Sequence, residues 1–100
     1  IIKAIPIEPY YRDQQADIVI YCSDCRLVLP SIPDKSIDLV LTDFPYANNT
    51  EYGEYEDTPS NLRELISKIF PELLRLAPLI AATCGIPNTH FYPAPTWILA

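Results

Sequence analysis

Three short apolar runs predict strands that are buried on both faces, as in a parallel sheet. They lie at residues 18–22, 37–42 and 79–83. Between the second and third runs, apolar residues recur every three or four positions, which predicts an amphipathic helix. The apolar face of this helix comprises Leu62, Leu65, Ile66, Ile69, Phe70, Leu73 and Leu74. A strand, a helix and a strand in this order predict a right-handed crossover and parallel pairing. The expected architecture is therefore a three-layer α/β domain or part of one.

Prolines and a hydroxyl side chain set the expected limits of the helix. Thr58 and Pro59 suit the N-cap and the first helical position, and Pro78 should end the helix. Pro71 lies inside the helix and should kink it, because proline lacks the N–H that would bond to the preceding turn.

The other segments have no strong hydrophobic period. Residues 1–17 are expected to form a lead-in segment without strands or helices, ahead of a domain that occupies residues 18–100. Ser23 or Asp24 is suited to cap a short helical turn after the first strand. Residues 48–58 form a long polar loop directly after the second strand, a position where loops are often functional.

Composition limits the size and the class of the protein. The 100 residues amount to one small domain at most, and burial on that scale gives only marginal stability. Hydrophobic residues make up 49% of the chain, which is typical of a globular domain. No apolar run is long enough to span a bilayer, and there is no signal-peptide pattern. The sequence contains no methionine, so we expect an excerpt from a longer protein.

The net charge of −6 argues against a nucleic-acid partner. Affinity for DNA comes mainly from Lys and Arg side chains on phosphates, and the seven basic residues are scattered along the sequence. Charge alone favours an acidic domain without a nucleic-acid partner. The alternative is that another part of the full protein carries the surface that grips DNA.

The most informative motif is Asp43-Phe44-Pro45-Tyr46, which follows the apolar run directly. Open α/β sheets hold their ligands at the carboxyl ends of their strands. As a bare tetrapeptide the motif is also consistent with a strand-ending turn. In this position it resembles the Asp-Pro-Pro-Tyr signature of the DNA methyltransferases that modify the exocyclic amine of adenine or cytosine, with Phe44 in place of the first proline.

The resemblance implies a role for each part of the signature. A carboxylate and a main-chain carbonyl accept the two N–H groups of the amine, and an aromatic ring stacks on a base that has been flipped out of the duplex. Asp43 is the expected carboxylate, Phe44 the expected carbonyl and Tyr46 the expected ring. Phe in place of Pro is tolerable because the carbonyl belongs to the main chain, and Pro45 still restricts Phe44 to an extended conformation.

The resemblance also implies S-adenosylmethionine as the methyl donor. In this family an acid after the preceding strand lies near the adenine of the cofactor, and Asp24 stands at that position, where a helix cap is equally consistent. The glycine-rich turn that binds this cofactor is missing, because Gly53 and Gly85 are isolated. The chain resembles the amino-terminal part of such an enzyme, and we expect it to bind the cofactor weakly by itself.

A zinc site and a packing loop are the alternatives for four other residues. Cys22, Cys25, Cys84 and His90 could supply four zinc ligands. One Cys-x-x-Cys pair is common by chance, however, and free cysteines in a reducing cytoplasm are the simpler interpretation, so no metal is expected. His90 lies in a loop rich in proline and aromatic residues, which either packs on the domain or lines the base pocket beside Tyr46.

These observations lead to one expected function and one alternative. The resemblance implies part of a Rossmann-like three-layer methyltransferase fold with a parallel sheet core, which methylates adenine N6 in double-stranded DNA. Cytosine N4 is less favoured, because cytosine enzymes of this kind more often have Ser at the position of Asp43. A cytoplasmic location and a companion restriction endonuclease would fit this function. The alternative is a non-catalytic α/β interaction fragment that retains the signature and lacks the cofactor half.

Overall fold

The computed structural model describes residues 4–99 of the chain. In these residues the strands lie at Tyr11–Asp13 (β1), Ile18–Ile20 (β2), Leu39–Asp43 (β3), Glu51–Tyr52 (β4), Tyr55–Glu56 (β5) and Leu79–Thr83 (β6). The α-helices lie at Cys25–Val28 (α1) and Pro59–Leu76 (α2), and 3₁₀ turns lie at Leu29–Ser31 and Ile86–Phe91. Across this range, no helix is both long enough and apolar enough to cross a membrane.

The central unit is a parallel pair of strands joined by a helix. β3 and β6 pair in parallel, with Leu39 opposite Leu79 at one end and Asp43 opposite Thr83 at the other. α2 makes the connection between them, so the predicted strand, helix and strand with parallel pairing are confirmed. The chain is thus a mixed α/β protein whose carboxyl-terminal strand ends lie side by side.

α2 forms because its first turn is capped and one of its faces is apolar. The Oγ1 of Thr58 accepts a hydrogen bond from the N–H of Asn61 at 3.2 Å, and Pro59 follows at the first helical position. The helix continues through Pro71. Its buried residues are Leu62, Ile66, Ile69, Leu73 and Leu76. The prediction that Leu74 belongs to the apolar face is wrong. Leu74 is 59% exposed, because it lies to the side of the buried residues of α2 and does not reach the core.

Arg75, in the last turn of α2, ties the helix to the segment that leads into β3. Its guanidinium donates to the carbonyls of Leu29 at 2.9 Å and Ile32 at 2.8 Å. It also pairs with the carboxylate of Asp34 at 2.6 Å. In return, the N–H of Lys35 donates to the carbonyl of Arg75 at 3.0 Å. The last of these bonds satisfies a carbonyl that the end of α2 leaves without a partner in the helix.

The two parallel strands are less buried than their sequences predict. Leu39, Leu41 and Leu79 are 54%, 78% and 63% exposed, so the expectation that these runs are buried on both faces is wrong. The intervening residues Val40 and Ile80 are partly buried against the core that α2 completes. One layer of helix therefore covers one face of the pair, and alternate side chains remain on the open face.

The first apolar run does not join the parallel sheet. Residues 18–22 were expected to form a buried strand of that sheet, but β2 pairs antiparallel with β1, and Ile18 and Ile20 are about half exposed. β1 lies in the lead-in segment 1–17, for which no strand was predicted. The hairpin closes because Asp13 Oδ1 accepts hydrogen bonds from two main-chain N–H groups of the turn, at 2.9 and 3.0 Å.

Replacement of Leu62 by alanine should destabilise the chain by about 2–5 kcal/mol, because Leu62 is fully buried and its loss leaves a cavity. Leu74→Ala is the matched control, since it makes the same change at an exposed position of the same helix and should alter the free energy of unfolding by less than about 0.5 kcal/mol. Urea unfolding followed by circular dichroism measures both values. Equal losses would contradict the buried face of α2 described above.

Candidate active site

Asp43 and Thr83 lie side by side at the carboxyl ends of the parallel strands. The carboxylate of Asp43 is exposed, and its Oδ1 accepts a hydrogen bond from the hydroxyl of Thr83. Parallel register brings the two together although they are forty positions apart in the chain. The sequence identified Asp43 as a candidate but did not predict this role of Thr83. The only available signal was that a hydroxyl residue ends the apolar run 79–83.

Phe44 turns inward and becomes part of the core. It is 5% exposed, and its ring stacks on Phe70 with centroids 6.0 Å apart and planes 20° apart. The ring also meets Tyr92 edge-on, with centroids 5.6 Å apart. Such aromatic pairs add to the stabilisation that burial provides. The residue that replaces the first proline of the signature is thus an anchor between the strand end and α2.

The four signature residues gather around one surface pocket of about 220 Å³. Asp43, Phe44, Pro45 and Tyr46 line it together with Tyr52. Tyr52 comes from the β4–β5 hairpin, which forms within the segment 48–58 that was expected to be a loop. The ring of Tyr46 is 40% exposed, so it remains accessible to a ligand. A second depression of about 310 Å³ is lined by the hairpin segment alone, at residues 49–53 and 55–58.

Two buried polar side chains hold the chain that follows Tyr46. Asn88 Nδ2 donates to the carbonyl of Tyr46 at 2.6 Å, and Asp57 Oδ1 accepts from the N–H of Ala47 at 2.9 Å. The Oδ2 of Asp57 accepts two further main-chain N–H groups of the same loop, at 3.1 and 2.9 Å. Neither residue was predicted as part of the site. An Asp directly before the N-cap Thr58 was the available signal for Asp57.

Asp24, the expected cofactor ligand, lies outside this pocket. It is the N-cap of α1, where its Oδ1 accepts from the N–H of Arg26 at 2.9 Å. The guanidinium of Arg26 donates to both carboxylate oxygens, at 2.6–3.1 Å. The hydrogen bonds from Arg26 hold the pKa of the Asp24 carboxyl below its ordinary value. Of the two compatible roles that the sequence allowed, the structure contains the helix cap.

The described residues do not fit a complete site for S-adenosylmethionine. Both oxygens of Asp24 are engaged by Arg26. Gly53 has φ +72° and forms the turn between β4 and β5. Gly85 serves a different purpose, since a Cβ placed there would come within 3.3 Å of Asn88 Nδ2. Neither glycine therefore belongs to a turn that could cradle this cofactor.

The residues considered for zinc are not gathered. Cys22 and Cys25 are exposed free thiols, and Cys84 is half-buried. Between residues 4 and 99, no three His, Cys, Asp or Glu side chains are placed to share a metal ion. His90 stacks at an angle on Phe91, with ring centroids 4.2 Å apart, and does not line the pocket of Tyr46. Its loop contributes Asn88 to the site instead.

Tyr92 lies beneath the signature. Its hydroxyl is buried and has no hydrogen-bond partner among the described protein atoms. Burial raises the pKa of Tyr92 to about 12, and the neighbouring Cys84, Tyr46 and Asp43 add to the shift. The phenol therefore stays protonated at neutral pH and contributes mainly through the contact of its ring with Phe44.

Comparison of the chain with protein-family models, with curated proteins and with solved structures found no match. The assignment of a function therefore rests on the residues and the geometry of the pocket.

The free energy of unfolding should fall as the pH rises from 10 to about 12. In this range the unfolded chain loses the proton of Tyr92, whose ordinary pKa is 10.0, while the folded chain keeps it. The unfolded state then binds fewer protons than the folded state, so stability declines with pH; below pH 10 the group contributes nothing. Tyr92→Phe should flatten this decline, and Tyr10→Phe, at a residue that is 77% exposed, should leave it unchanged. Urea unfolding at a series of pH values measures the effect, and an equal slope in Tyr92→Phe would contradict it.

Proposed function

We propose that the chain carries the target-amine side of an S-adenosylmethionine-dependent DNA methyltransferase, with adenine N6 as the favoured acceptor. One observation carries this proposal: an exposed carboxylate, Asp43, and an accessible aromatic ring, Tyr46, line a single pocket at the carboxyl end of a parallel strand. A hydrogen-bond acceptor for an amine and a surface for base stacking are the two features that an extruded base requires.

The chemistry requires an amine nitrogen that is made nucleophilic. The lone pair of an exocyclic amine is delocalised into the base, and acceptors on its two N–H groups pull the nitrogen toward tetrahedral geometry. Thr83 donates to Oδ1 of Asp43 and thereby orients the carboxylate, whose remaining acceptor sites can take one N–H of the amine. The main-chain carbonyl of Phe44 accepts the other. The negative charge of Asp43 then stabilises the positive charge that develops on the nitrogen.

The position of Phe44 supports this assignment. In the signature that it resembles, proline fixes the backbone by its ring, which holds φ near −65°. Here the Phe44 ring is buried among Phe70 and Tyr92, so packing limits the movement of the same backbone. With the side chain in the core, the role left to Phe44 is the one that belongs to its main chain.

The residues of the pocket account for the target amine and not for binding of the methyl donor. S-adenosylmethionine supplies the methyl group when it is bound, and the described residues do not form its complete site. The steps assigned to Asp43, Phe44 and Tyr46 concern the target base alone. Asp43 at the first signature position favours adenine over cytosine, by the same resemblance that suggests the reaction.

The charges of the chain favour a second candidate, a non-catalytic interaction fragment. Of the six basic residues that the structure describes, three are engaged in ion pairs with acidic neighbours. Arg26 pairs with Asp24 at 2.6 Å and Lys68 with Glu64 at 2.9 Å, and Arg75 pairs with an acid as described above. These side chains are less free to contact phosphates. A measurement of base binding by the pocket distinguishes the two candidate functions, because such binding does not require a basic surface. Binding would favour the methyltransferase, and its absence would favour the interaction fragment.

Asp43→Ala should lower the rate of methyl transfer by at least about a hundredfold, because the carboxylate stabilises charge that develops in the transition state. The measurement is the transfer of a tritiated methyl group to DNA by the protein translated from the full reading frame. Asp38→Ala is the matched control, since Asp38 is an exposed acid just before the other end of β3. A near wild-type rate for Asp43→Ala would remove Asp43 from the reaction, and no transfer by the unaltered protein would contradict the proposed function.

Tyr46→Ala should weaken binding of an extruded base about five- to 150-fold, because stacking is worth about 1–3 kcal/mol per base. Tyr46→Phe keeps the ring and should bind as the unaltered chain does. The probe is a DNA duplex with one 2-aminopurine in a single-nucleotide bulge, whose fluorescence is quenched when the base stacks. Equal affinities for the Phe and Ala variants, both like the unaltered chain, would exclude stacking on Tyr46.

A further inference from the structure

The described part of the chain buries two polar residues, and both act on the same peptide group. Asp57 is 3% exposed and Asn88 is 8% exposed. Asn88 Nδ2 bonds to the carbonyl oxygen of Tyr46, and Asp57 Oδ1 bonds to the N–H of Ala47. This oxygen and this N–H belong to the single peptide unit that joins Tyr46 to Ala47. Side chains from two distant parts of the sequence thus converge on one plane beside the pocket.

Two bonds on opposite sides of a planar unit fix its orientation. The carbonyl and the N–H of a trans peptide point in opposite directions, so a donor on one side and an acceptor on the other prevent the plane from turning. Because the buried ring of Phe44 anchors the chain before Tyr46, the orientation of this plane then limits the ψ angle of Tyr46. It therefore limits the direction in which the Cα–Cβ bond of Tyr46 carries the ring toward the pocket.

The backbone on the far side of this peptide is held in an unfavourable conformation. Ala47 has φ 56°, in the left-handed region that alanine rarely adopts, and Asn49 has φ 61° in the same region, which asparagine tolerates better. Asp57 offsets this cost, because its two oxygens accept three main-chain N–H groups from the loop. Charged acceptors make stronger hydrogen bonds than neutral ones. A carboxylate at position 57 thus stabilises a loop that would otherwise relax.

Gly85 leaves the room that Asn88 needs. A Cβ at position 85 would lie 3.3 Å from Asn88 Nδ2 and 3.8 Å from both the Cβ and the carbonyl oxygen of Tyr46. The first of these distances is tighter than an ordinary contact. The backbone angle of Gly85, φ −70°, is one that any residue adopts, so space rather than conformation is the reason for glycine here.

We infer that Asp57 and Asn88 are positioning residues that hold the Tyr46–Ala47 peptide and thereby aim the ring of Tyr46 at an extruded base. The inference rests on the proposed function, because it takes Tyr46 as the stacking residue. Neither side chain lines the pocket with Tyr46, so both act through the peptide and not on the base. Their effect on binding should therefore disappear when the ring of Tyr46 is removed.

The first experiment tests the hold on the peptide. Asp57→Asn keeps the size of the side chain but replaces one accepting oxygen by an NH₂ group. Amide hydrogen exchange, followed by NMR on the full chain, should accelerate about tenfold or more at one or more of Ala47, Asn48 and Thr50. Asp13→Asn is the matched control, because Asp13 also accepts main-chain N–H groups, in the β1–β2 turn. Unchanged exchange at all three loop amides would overturn the inference.

The second experiment tests the effect on the base, with the bulged 2-aminopurine duplex as the probe. Asp57→Asn should weaken binding about three- to tenfold, as a partial loss of stacking, and should cause no further loss in a chain that already carries Tyr46→Ala. Asp13→Asn should bind like the unaltered chain. An equal loss in the presence and absence of the Tyr46 ring would mean that Asp57 acts by another route, and would overturn the inference.

Gly85→Ala provides the same test without removing either buried side chain. The added methyl group should push the amide of Asn88 from the carbonyl of Tyr46 and weaken binding of the probe by a smaller factor, again only while the Tyr46 ring is present. Unchanged affinity in both Gly85→Ala and Asp57→Asn would overturn the inference. No binding by the unaltered chain would overturn the proposed function and the stacking role together, while the exchange experiment would still decide whether the peptide is held.

Discussion

A pair of parallel strands is not stable by itself, and β3 and β6 stay together because α2 buries an apolar face against them. Phe44 belongs to the same buried cluster as Leu62, Ile66, Ile69 and Leu73. The first residue after β3 is therefore fixed by the core, although it lies in a connecting segment. Because Asp43 and Tyr46 flank this anchor, a loss of packing around α2 also loosens the candidate site. Stability and site geometry are not independent in this chain.

The site combines exposed groups that could meet a ligand with buried groups that hold them in place. Buried polar side chains are costly unless their hydrogen bonds are made, and here Asp57 and Asn88 both make theirs to the main chain beside the pocket. The left-handed conformation of Ala47 is held by the same contacts. Backbone strain that the surroundings over-determine is a frequent property of functional sites. The strained residue Ala47 directly follows Tyr46. This observation comes from the backbone alone and does not depend on the resemblance of the signature to the methyltransferases.

The parts of the structure that could be predicted from the sequence are those that neighbouring residues along the chain determine. The limits of α2 follow from its period, its N-cap and its prolines, and the parallel pairing follows from the order of strand, helix and strand. The pairing of β2 with β1 could not be predicted, because it depends on which partner strands are available. At the site, Asp43 was identifiable from its place after a strand. Thr83, Asp57 and Asn88 were not, because they act on residues 40, 10 and 42 positions away, and the local signals at Thr83 and Asp57 do not reveal those partners.

The proposed function requires a donor site beside the pocket, and the arrangement of the strands bears on where such a site could form. Asp24 follows β2, which pairs with β1 in a sheet of its own, so Asp24 does not share a sheet edge with Asp43. Ligands of open α/β sheets bind across the ends of neighbouring parallel strands. Among the described residues, no second strand pairs with β3, and Leu39 and Leu41 on its open face are largely exposed. A parallel strand beside β3 would bring a further strand end next to Asp43, whereas the role proposed for the signature concerns only the target amine. Under the proposed function, a donor site would need groups beside Asp43 that the described residues do not supply, and the open edge of β3 is where a further strand could place them.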